Sequence, residues 1–243
     1  MMHYLIGIDD TDNLESRGTG HRARQLAEFL LQKGLVQPLG ITRHQLLVSP
    51  EIPYTSHNSS ACISVEADPS SELDVWTACC DFLLVESAPG SDAGLCLAKR
   101  DSVSPEVCAF GLSAKQVVLT QPEAMKTAKE NDIRLLGLTG THGGVIGALS
   151  GVGLHRAGND GRFLWLPGLR DLSGRLKVAE LCQRGSIECV RPLDGENLSS
   201  ETMVDVGEWV RPILSGGQAI LYVEEQNNEW RILPKERIKV LSN

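Results

Sequence analysis

The sequence has 243 residues, of which 42% are hydrophobic and 22% are charged, and its formal net charge is −8. This composition is sufficient for a packed core and argues against an intrinsically disordered chain. The acidic balance also argues against a surface built for non-specific nucleic-acid binding, which needs clustered Lys and Arg. A tRNA partner is therefore not supported by charge, although a local basic site is compatible with it.

Cysteine usage and hydropathy indicate the cellular compartment in which we expect the protein. The seven Cys residues are scattered, and no C-x-x-C pair predicts a zinc ribbon. The apolar stretch at the N-terminus is too short for a signal peptide, and no apolar run approaches the roughly 20 residues of a membrane helix. We therefore expect reduced thiols, a cytoplasmic location and no membrane partner.

The first 160 residues predict strands that alternate with helices. Residues 3–8 are typical of a buried strand, and a stripe that includes Ala23, Leu26 and Leu30 predicts a helix over 21–34 that ends at Gly34. Further along, the pattern predicts strands at 41–48 and 61–67, a helix over 71–85 passing into a strand, a loop over 86–94, a helix over 121–131, a strand at 133–138 and a helix from about Val145.

The character of the sequence changes after residue 160. Shorter elements predict a helix over 172–185 with Ser173 as its N-cap, and strands at 186–193, 208–225 and 229–241. The "SGGQ" segment between two apolar runs is typical of a hairpin turn. We expect an α/β (α+β) fold with a region over 1–160 and a small C-terminal α+β domain over 161–243.

The first strand runs directly into three carboxylates in "GIDDTDN" (7–13), namely Asp9, Asp10 and Asp12. Mg²⁺ takes oxygen ligands, usually one or two carboxylates with water and phosphate oxygens. The sequence therefore predicts a metal site here, and a solvated turn stays open as the alternative. An EF-hand is excluded because Glu15 and His21 stand where that loop needs Gly and Glu. No Walker A motif occurs.

Two further segments suit phosphate binding. After the acids, Gly18 and Gly20 precede a helix and can offer backbone N–H groups, while Arg17 and Arg22 can neutralise phosphate charge. The "GTHGGVIG" segment (140–147) also joins a strand to a helix, but it lacks the G-x-G-x-x-G spacing. Close packing of a glycine-rich helix is the alternative for that segment.

Polar loops carry weaker signals. His57 and Asn58 lie in a loop punctuated by prolines, and Glu86 and Asp92 lie in "ESAPGSDAG". Such loops often line sites, but from the residues alone an ordinary solvated loop is favoured for each.

Four segments occur in the order that is typical of one family. "GIDDTD", "SPEIPYTSHNSSA", "ESAPGSDAG" and "GGVIGALSGVG" together resemble the archaeal agmatinylcytidine synthetases, which modify an isoleucine tRNA. The resemblance covers about the first 155 residues and implies a kinase-like domain that binds ATP and Mg²⁺, followed by a ferredoxin-like part. In that family ATP activates the C2 carbonyl oxygen of a cytidine by phosphorylation, and agmatine then displaces the phosphate.

The resemblance also implies roles for particular residues. Asp9, Asp10 and Asp12 would hold Mg²⁺ and act in catalysis. The residues implied for contacts with the nucleotide, its phosphates or the acceptor are Thr11, Arg17, Gly18, Thr19, Gly20, His21, Arg22, Asn58, Gly143 and Gly144.

Two departures from the family leave three functions open. His21 stands where the family has a phosphorylatable Thr, which leaves Thr19 as the loop's remaining Thr, and the C-terminal part lacks the family's zinc-ribbon cysteines. The first and favoured function is a Mg²⁺/ATP-dependent phosphoryl-transfer or ligase-type enzyme that acts on a small or nucleoside-like acceptor. The second is a non-catalytic nucleotide-sensing module. The third is a tRNA-modifying enzyme that takes its tRNA-binding parts from a partner. Self-association is compatible with all three.

Overall fold

The computed structural model describes residues 1–52 and 58–242. The chain divides into two compact units, Met1–Ala157 (unit 1) and Gly158–Asn243 (unit 2). Within the described ranges, no helix is long and apolar enough to cross a membrane. The predicted contribution of His57 lies outside the described residues.

Unit 1 contains five strands and five α-helices in its described part. They are β1 (Met2–Asp9), α1 (Thr19–Gln32), β2 (Val36–Gln45), β3 (Ser59–Ala67), α2 (Glu72–Glu86), β4 (Gly94–Lys99), α3 (Pro105–Ser113), α4 (Gln121–Glu130), β5 (Arg134–Gly137) and α5 (Val145–Ala157). The strands form a sheet in the order β5–β4–β1–β3–β2, and every neighbouring pair is antiparallel. The first six elements follow the βαββαβ order of ferredoxin-like folds.

Helices cover both faces of this sheet. Successive side chains of a strand point to opposite faces. On β1, Leu5 packs into a core with Val107, Leu149 and Val152 from α3 and α5, whereas the Tyr4 hydroxyl donates to Glu72 at the start of α2, at 3.2 Å. The predicted mixed α/β fold is confirmed.

Helix α1 forms as its apolar stripe predicts. Ala23, Leu26, Ala27 and Leu30 are buried, while Leu31 at the edge of the stripe is 45% exposed. The chain turns after this helix at Gly34, which has a φ of +68°, the left-handed conformation that glycine adopts without steric cost.

Unit 2 is built mainly of short strands. Its elements are β6 (Arg162–Trp165), β7 (Arg175–Lys177), α6 (Val178–Gly185), β8 (Cys189–Arg191), β9 (Met203–Asp205), β10 (Ile213–Ser215), β11 (Gln218–Gln226), β12 (Glu229–Ile232) and α7 (Lys235–Leu241). The strands run in the order β6–β10–β11–β12–β9–β7, and β8 pairs with β11 in parallel. The predicted hairpin turn forms at Gly216 and Gly217, which both have positive φ.

Three local predictions were wrong, one in unit 1 and two in unit 2, and two elements of unit 1 were not predicted. Helix α2 continues to Glu86 without a strand, because Leu84 and Val85 at its end are 54% and 79% exposed and do not enter the sheet. Strand β4 and helix α3 were not predicted at all.

The other two errors lie in unit 2. The segment 172–185 splits into β7 and α6, because the chain turns at Gly174 (φ +72°) and Leu176 then pairs with Val204 of β9; Ser173 caps no helix. The segment 235–241 is helical, and it buries Ile238 while Val240 stays 75% exposed. A strand in that register would have placed both side chains on one face.

The contact between α5 and β1 generates a prediction about stability. A Cβ atom on Gly7 would overlap the backbone carbonyl of Ala148 in α5. Because neither backbone can move aside easily, Gly7→Ala should lower the free energy of unfolding by about 1–3 kcal/mol or more. Urea unfolding followed by circular dichroism would measure the change.

Gly18→Ala is the matched control for this experiment. Its added Cβ would have Asp12 as its nearest neighbour, at 4.0 Å. Equal urea midpoints for the two variants would contradict the proposed close contact.

Candidate functional site

Three chain segments meet at the C-terminal end of β1. Asp9, the last residue of β1, pairs with Gly94, the first residue of β4. The loop that precedes β4 lies on the loop that follows β1, since the Ala88 N–H donates to the Thr11 carbonyl at 3.0 Å. Sequence reasoning relied on the carboxyl edge of a parallel sheet. The sheet is antiparallel, so the end of one strand and the start of its neighbour form this site instead.

The third segment, residues 139–144, wraps around Asp92. The Thr141 N–H donates to the Asp92 carboxylate, and the Gly144 N–H donates to the Asp92 carbonyl at 2.9 Å. Gly140 has a φ of +55°, and a Cβ atom on it would overlap the Asp92 carboxylate. Asp92 therefore fixes the conformation of the glycine-rich loop at the start of α5.

Two other glycines let α5 approach the acids. A Cβ atom on Gly147 would overlap the Asp9 carboxylate, and one on Gly144 would lie 2.8 Å from the Asp9 carbonyl oxygen. Close packing is thus one role of the "GTHGGVIG" segment.

Asp12 organises the start of α1. One of its carboxylate oxygens accepts from the Thr19 N–H at 3.0 Å and from the Thr19 hydroxyl at 2.7 Å. The Thr19 hydroxyl oxygen in turn accepts from the Thr11 hydroxyl at 3.2 Å. Thr11 and Thr19 are both buried, so this chain of hydrogen bonds fixes the loop between β1 and α1 on its buried side.

Burial and neighbouring carboxylates raise the pKa values of Asp9 and Asp10. Burial, and then the negative charge of Asp10, raise the pKa of Asp9 to about 8. Burial, followed by the charges of Asp92 and Asp12, raises the pKa of Asp10 to about 6. Asp10 also has a φ of +50°, which is uncommon for a residue other than glycine. Ionisation of these two carboxyl groups is therefore unfavourable in the free protein, and a cation bound beside them would favour it.

These groups line a cavity of about 260 Å³, close to the lower bound of roughly 300 Å³ for small-molecule sites. Of the predicted site residues, those that line it are Asp9, Asp10, Asp12, Thr19, Asn58, Gly143 and Gly144. The other lining residues are Leu46, Glu51, Ile52, Ser59, Asp92, Ala114, Val117, Val118, Leu119, Gln121, Thr141, Ile146 and Gly147.

The remaining predicted site residues do not line this cavity: Thr11, Arg17, Gly18, Gly20, His21 and Arg22. Arg22 instead pairs with Glu86 at the end of α2, with 2.8 Å between Nη1 and Oε2. The His21 ring lies against Arg24, and Arg17 is exposed. Proximity in sequence to the acids did not bring these side chains to the cavity.

Sequence reasoning gave little weight to two parts of the site. Asp92 was assigned to an ordinary loop, because a single acid after "APGS" has no distinguishing pattern. The cavity residues between Ala114 and Leu119 follow a helix that was not predicted. Only the order of the family-like segments pointed to the loop that contains Asp92.

The donor set can be compared with the needs of a metal ion. Among residues 1–52 and 58–242, no group of three or more His, Cys, Asp or Glu side chains could hold a metal ion. Mg²⁺ does not require such a group, because it is usually held by one or two carboxylates together with water and substrate phosphates. Asp9 and Asp10 provide carboxylates of that kind.

Comparisons with known proteins place the chain in a structural context. No protein-family model matches the chain. An uncharacterized protein of Methanocaldococcus jannaschii is 27% identical over 160 residues, which cover 63% of this chain and 50% of that protein. The chain thus spans about half the length of the curated relative that it matches.

Solved structures of TiaS, an agmatidine synthetase for an isoleucine tRNA, have a similar fold. Apo TiaS matches with a TM-score of 0.53 at 23% identity, and TiaS in complex with this tRNA and ATP matches with 0.54 at 23%. TiaS in complex with the tRNA, AMPCPP and agmatine matches with 0.53 at 22% identity. Each match covers 63% of this chain but only 35–36% of the TiaS chain. At this level of identity, the likeness shows a shared fold.

The raised pKa values predict how stability depends on pH. The folded protein holds a proton on Asp9 up to about pH 8, whereas an unfolded Asp releases it near pH 4. Because the folded state then binds more protons at Asp9, the contribution of this residue to the free energy of unfolding of the metal-free protein should fall as pH rises from about 4 to about 8. Urea titrations across this range would measure the slope.

Asp9→Asn tests the assignment of this slope, since the amide keeps the shape of the side chain and cannot titrate. The free energy of unfolding of this variant should fall less steeply with rising pH than that of the wild type, and some pH dependence should remain because Asp10 and His155 still titrate. Asp74→Asn, on the exposed surface of α2, should keep the wild-type pH dependence. An unchanged slope in Asp9→Asn would contradict the assignment.

Proposed function

We propose that unit 1 binds a nucleoside triphosphate together with Mg²⁺ and uses it in phosphoryl transfer or in ligase-type activation of an acceptor. One observation carries this proposal. Residues far apart in the sequence, each predicted for a nucleotide and metal site, line one cavity: Asp9, Asp10 and Asp12 with Thr19, Asn58, Gly143 and Gly144. The shared fold with an ATP-bound TiaS structure supports the same proposal.

Charge supports a role for the divalent cation. Of the described residues that line the cavity, five are acidic and none is Lys, Arg or His. A triphosphate cannot approach such a surface without a compensating positive charge. Asp9 and Asp10 would hold Mg²⁺, which would neutralise charge on the phosphates when bound.

The protein's own contribution would be positioning. Asp12 holds the start of α1 through Thr19, and Asp92 holds the loop 139–144 through its carboxylate and its carbonyl. Both elements border the cavity, and these hydrogen bonds hold them in fixed positions. Phosphoryl transfer depends mainly on such positioning and on electrostatic stabilisation of the transferred group.

The acceptor is proposed at a coarser level. TiaS has been solved with an isoleucine tRNA and with agmatine, and this chain matches only about a third of the TiaS chain. We therefore propose a small or nucleoside-like acceptor, with tRNA as an acceptor only if a partner supplies further binding surface.

A nucleotide sensor is the second candidate, and a specific observation favours it. Arg17 and Arg22, the residues predicted to steady phosphate, do not line the cavity, and Arg22 is paired with Glu86. Without a cationic side chain among its described lining residues to stabilise charge in the transition state, such a site can bind a nucleotide and leave it intact.

Phosphorus NMR of ATP and Mg²⁺ with the purified protein separates the two candidates. An enzyme should convert ATP slowly even without its acceptor, and an ADP or AMP signal would identify the bond that breaks. Asp9→Ala and Asp10→Ala should each reduce this rate on the order of 10²-fold or more, because charge stabilisation of the phosphates is lost.

Asp74→Ala removes an exposed carboxylate outside the cavity and is the matched control. Broadened ATP signals without consumption would favour the sensor. Full activity in both Asp9→Ala and Asp10→Ala would exclude the proposed catalytic role of the acids.

A further inference from the structure

Strand β5 forms one edge of the sheet of unit 1. It pairs with β4 on one side, and in the part of the chain that the structure describes no strand pairs with its other side. The Leu138 N–H donates to the Ala93 carbonyl at 2.8 Å, and the antiparallel register continues along β5. Because hydrogen-bonded pairs alternate along such a ladder, the N–H and C=O groups of Leu135 and Gly137 point away from β4. The edge therefore offers main-chain groups to an added strand.

A groove of about 700 Å³, here called the edge groove, lies at this strand and is lined by residues 133–136 together with residues of α4 and α2. Leu135 packs on one face of the sheet with Ala128 of α4. Arg134 lies on the other face, with its guanidinium carbon 5.9 Å from the centre of the Trp76 ring of α2. A strand added beside β5 would therefore contact side chains on both faces of the sheet.

The edge groove exposes apolar surface. Met125 of α4 and Leu136 of β5 line it and are 44% and 40% exposed. Covering such surface releases free energy in proportion to the area removed from water. Trp76 also lines the groove, but a nucleic-acid base would have to compete with Arg134 for its ring. The apolar surface thus suits the aliphatic side chains of a peptide better than a stacked base.

The charge of the edge groove is opposite to that of the chain. Its charged lining residues are Lys126, Lys129 and Arg134, and none of its described lining residues is Asp or Glu, whereas the chain has a formal net charge of −8. Glu130 lies 3.9 Å from Lys126, and Glu72 lies 3.5 Å from Arg134. Lys129 makes no ion pair among the described residues. An acidic ligand would complement this charge.

The same charge argues against a second copy of this edge as the occupant. Two β5 strands paired with each other would bring Lys129 and Arg134 of one copy close to those of the other. Cationic side chains on edge strands are a common means of preventing such pairing. Charge and main-chain geometry together favour an acidic segment of a different chain.

We propose that the edge groove binds an extended, acidic segment of a partner protein, which adds a strand to the sheet at Leu135 and Gly137. Strand addition gains affinity from main-chain hydrogen bonds and specificity from side-chain contacts. Here the three cations would select acidic side chains, while Met125 and Leu136 would contact aliphatic ones. None of the lining residues of the edge groove lines the acidic cavity, so this inference is independent of the proposed nucleotide site.

Fluorescence anisotropy with two labelled peptides tests the proposal on the full chain. One is a short peptide of alternating Glu and Val with blocked ends, and the other has Lys in place of each Glu. The acidic peptide should bind roughly ten-fold more tightly than the basic one at low salt. Amide hydrogen exchange followed by NMR should show slower exchange of the Leu135 and Gly137 N–H groups in the complex, because the added strand accepts hydrogen bonds from them.

Lys129→Glu should weaken binding of the acidic peptide roughly five-fold or more, because an attraction becomes a repulsion. Lys33→Glu is the matched control, since it makes the same change of net charge on an exposed side chain that does not line the edge groove. It should keep the wild-type affinity. Circular dichroism of both variants would show that each is folded.

The contrary outcomes point to different occupants. Equal affinities of the two peptides, no binding of the acidic one, or an unchanged affinity in Lys129→Glu would overturn the proposal. Unchanged exchange of the Leu135 and Gly137 N–H groups in the complex would exclude strand addition. Binding of oligouridylate that Lys129→Glu abolishes, without binding of the acidic peptide, would assign the edge groove to nucleic acid. A wild-type dimer that Leu136→Arg dissociates in the ultracentrifuge would assign it to a second copy.

Discussion

The start of helix α5 lies directly against the ends of β1 and β4, and this backbone contact positions Asp9, Asp92 and the glycine-rich loop of the candidate site. No side chain fits between the elements, which is why glycine stands at Gly7, Gly94, Gly144 and Gly147. The contact brings the last residue of β1 to the first turn of the helix. It also brings the loop before β4 to the loop before α5. The site is thus a consequence of how closely one helix packs.

The same contact determines how charge is distributed. The backbone N–H groups of Thr141 and Gly144 point to Asp92, so a carboxylate of the protein uses N–H groups that could otherwise bind phosphate at a helix N-terminus. The glycine-rich loop is thereby committed to the fold. The proposed binding of phosphate at this cavity would then depend on a cation, in agreement with the absence of Lys, Arg and His among the described lining residues.

The sequence predicted the elements whose patterns are local, and it failed where long-range packing decides. The stripe of α1 and the run from β1 into Asp9, Asp10 and Asp12 were recognised because spacing alone defines them. Asp92 was not, since its role depends on a loop almost 50 positions away.

The arginines show the same limit of sequence reasoning, because residues that are close in the sequence need not be close in the fold. Arg22 is close to the acids in sequence, but the rotation of α1 directs its side chain to Glu86 of α2. Strand β4 was missed because it is buried along nearly its whole length, from Gly94 to Ala98, and therefore lacks the alternation that identifies a half-exposed strand.

The acid cluster lowers the stability of the metal-free protein, and this loss is linked to its proposed use. Burial raises the pKa of both Asp9 and Asp10. The charge of Asp10 adds to this effect on Asp9, and the charges of Asp92 and Asp12 add to it on Asp10, so that each ionises less readily than a free carboxyl and the cluster is repulsive when ionised. A divalent cation would remove the repulsion, but it must first displace the proton that Asp9 retains near neutral pH. Proton and cation therefore compete for one carboxylate, and the free energy released when the repulsion is relieved becomes part of the binding free energy. A more stable fold with neutral residues here would lose that source of affinity.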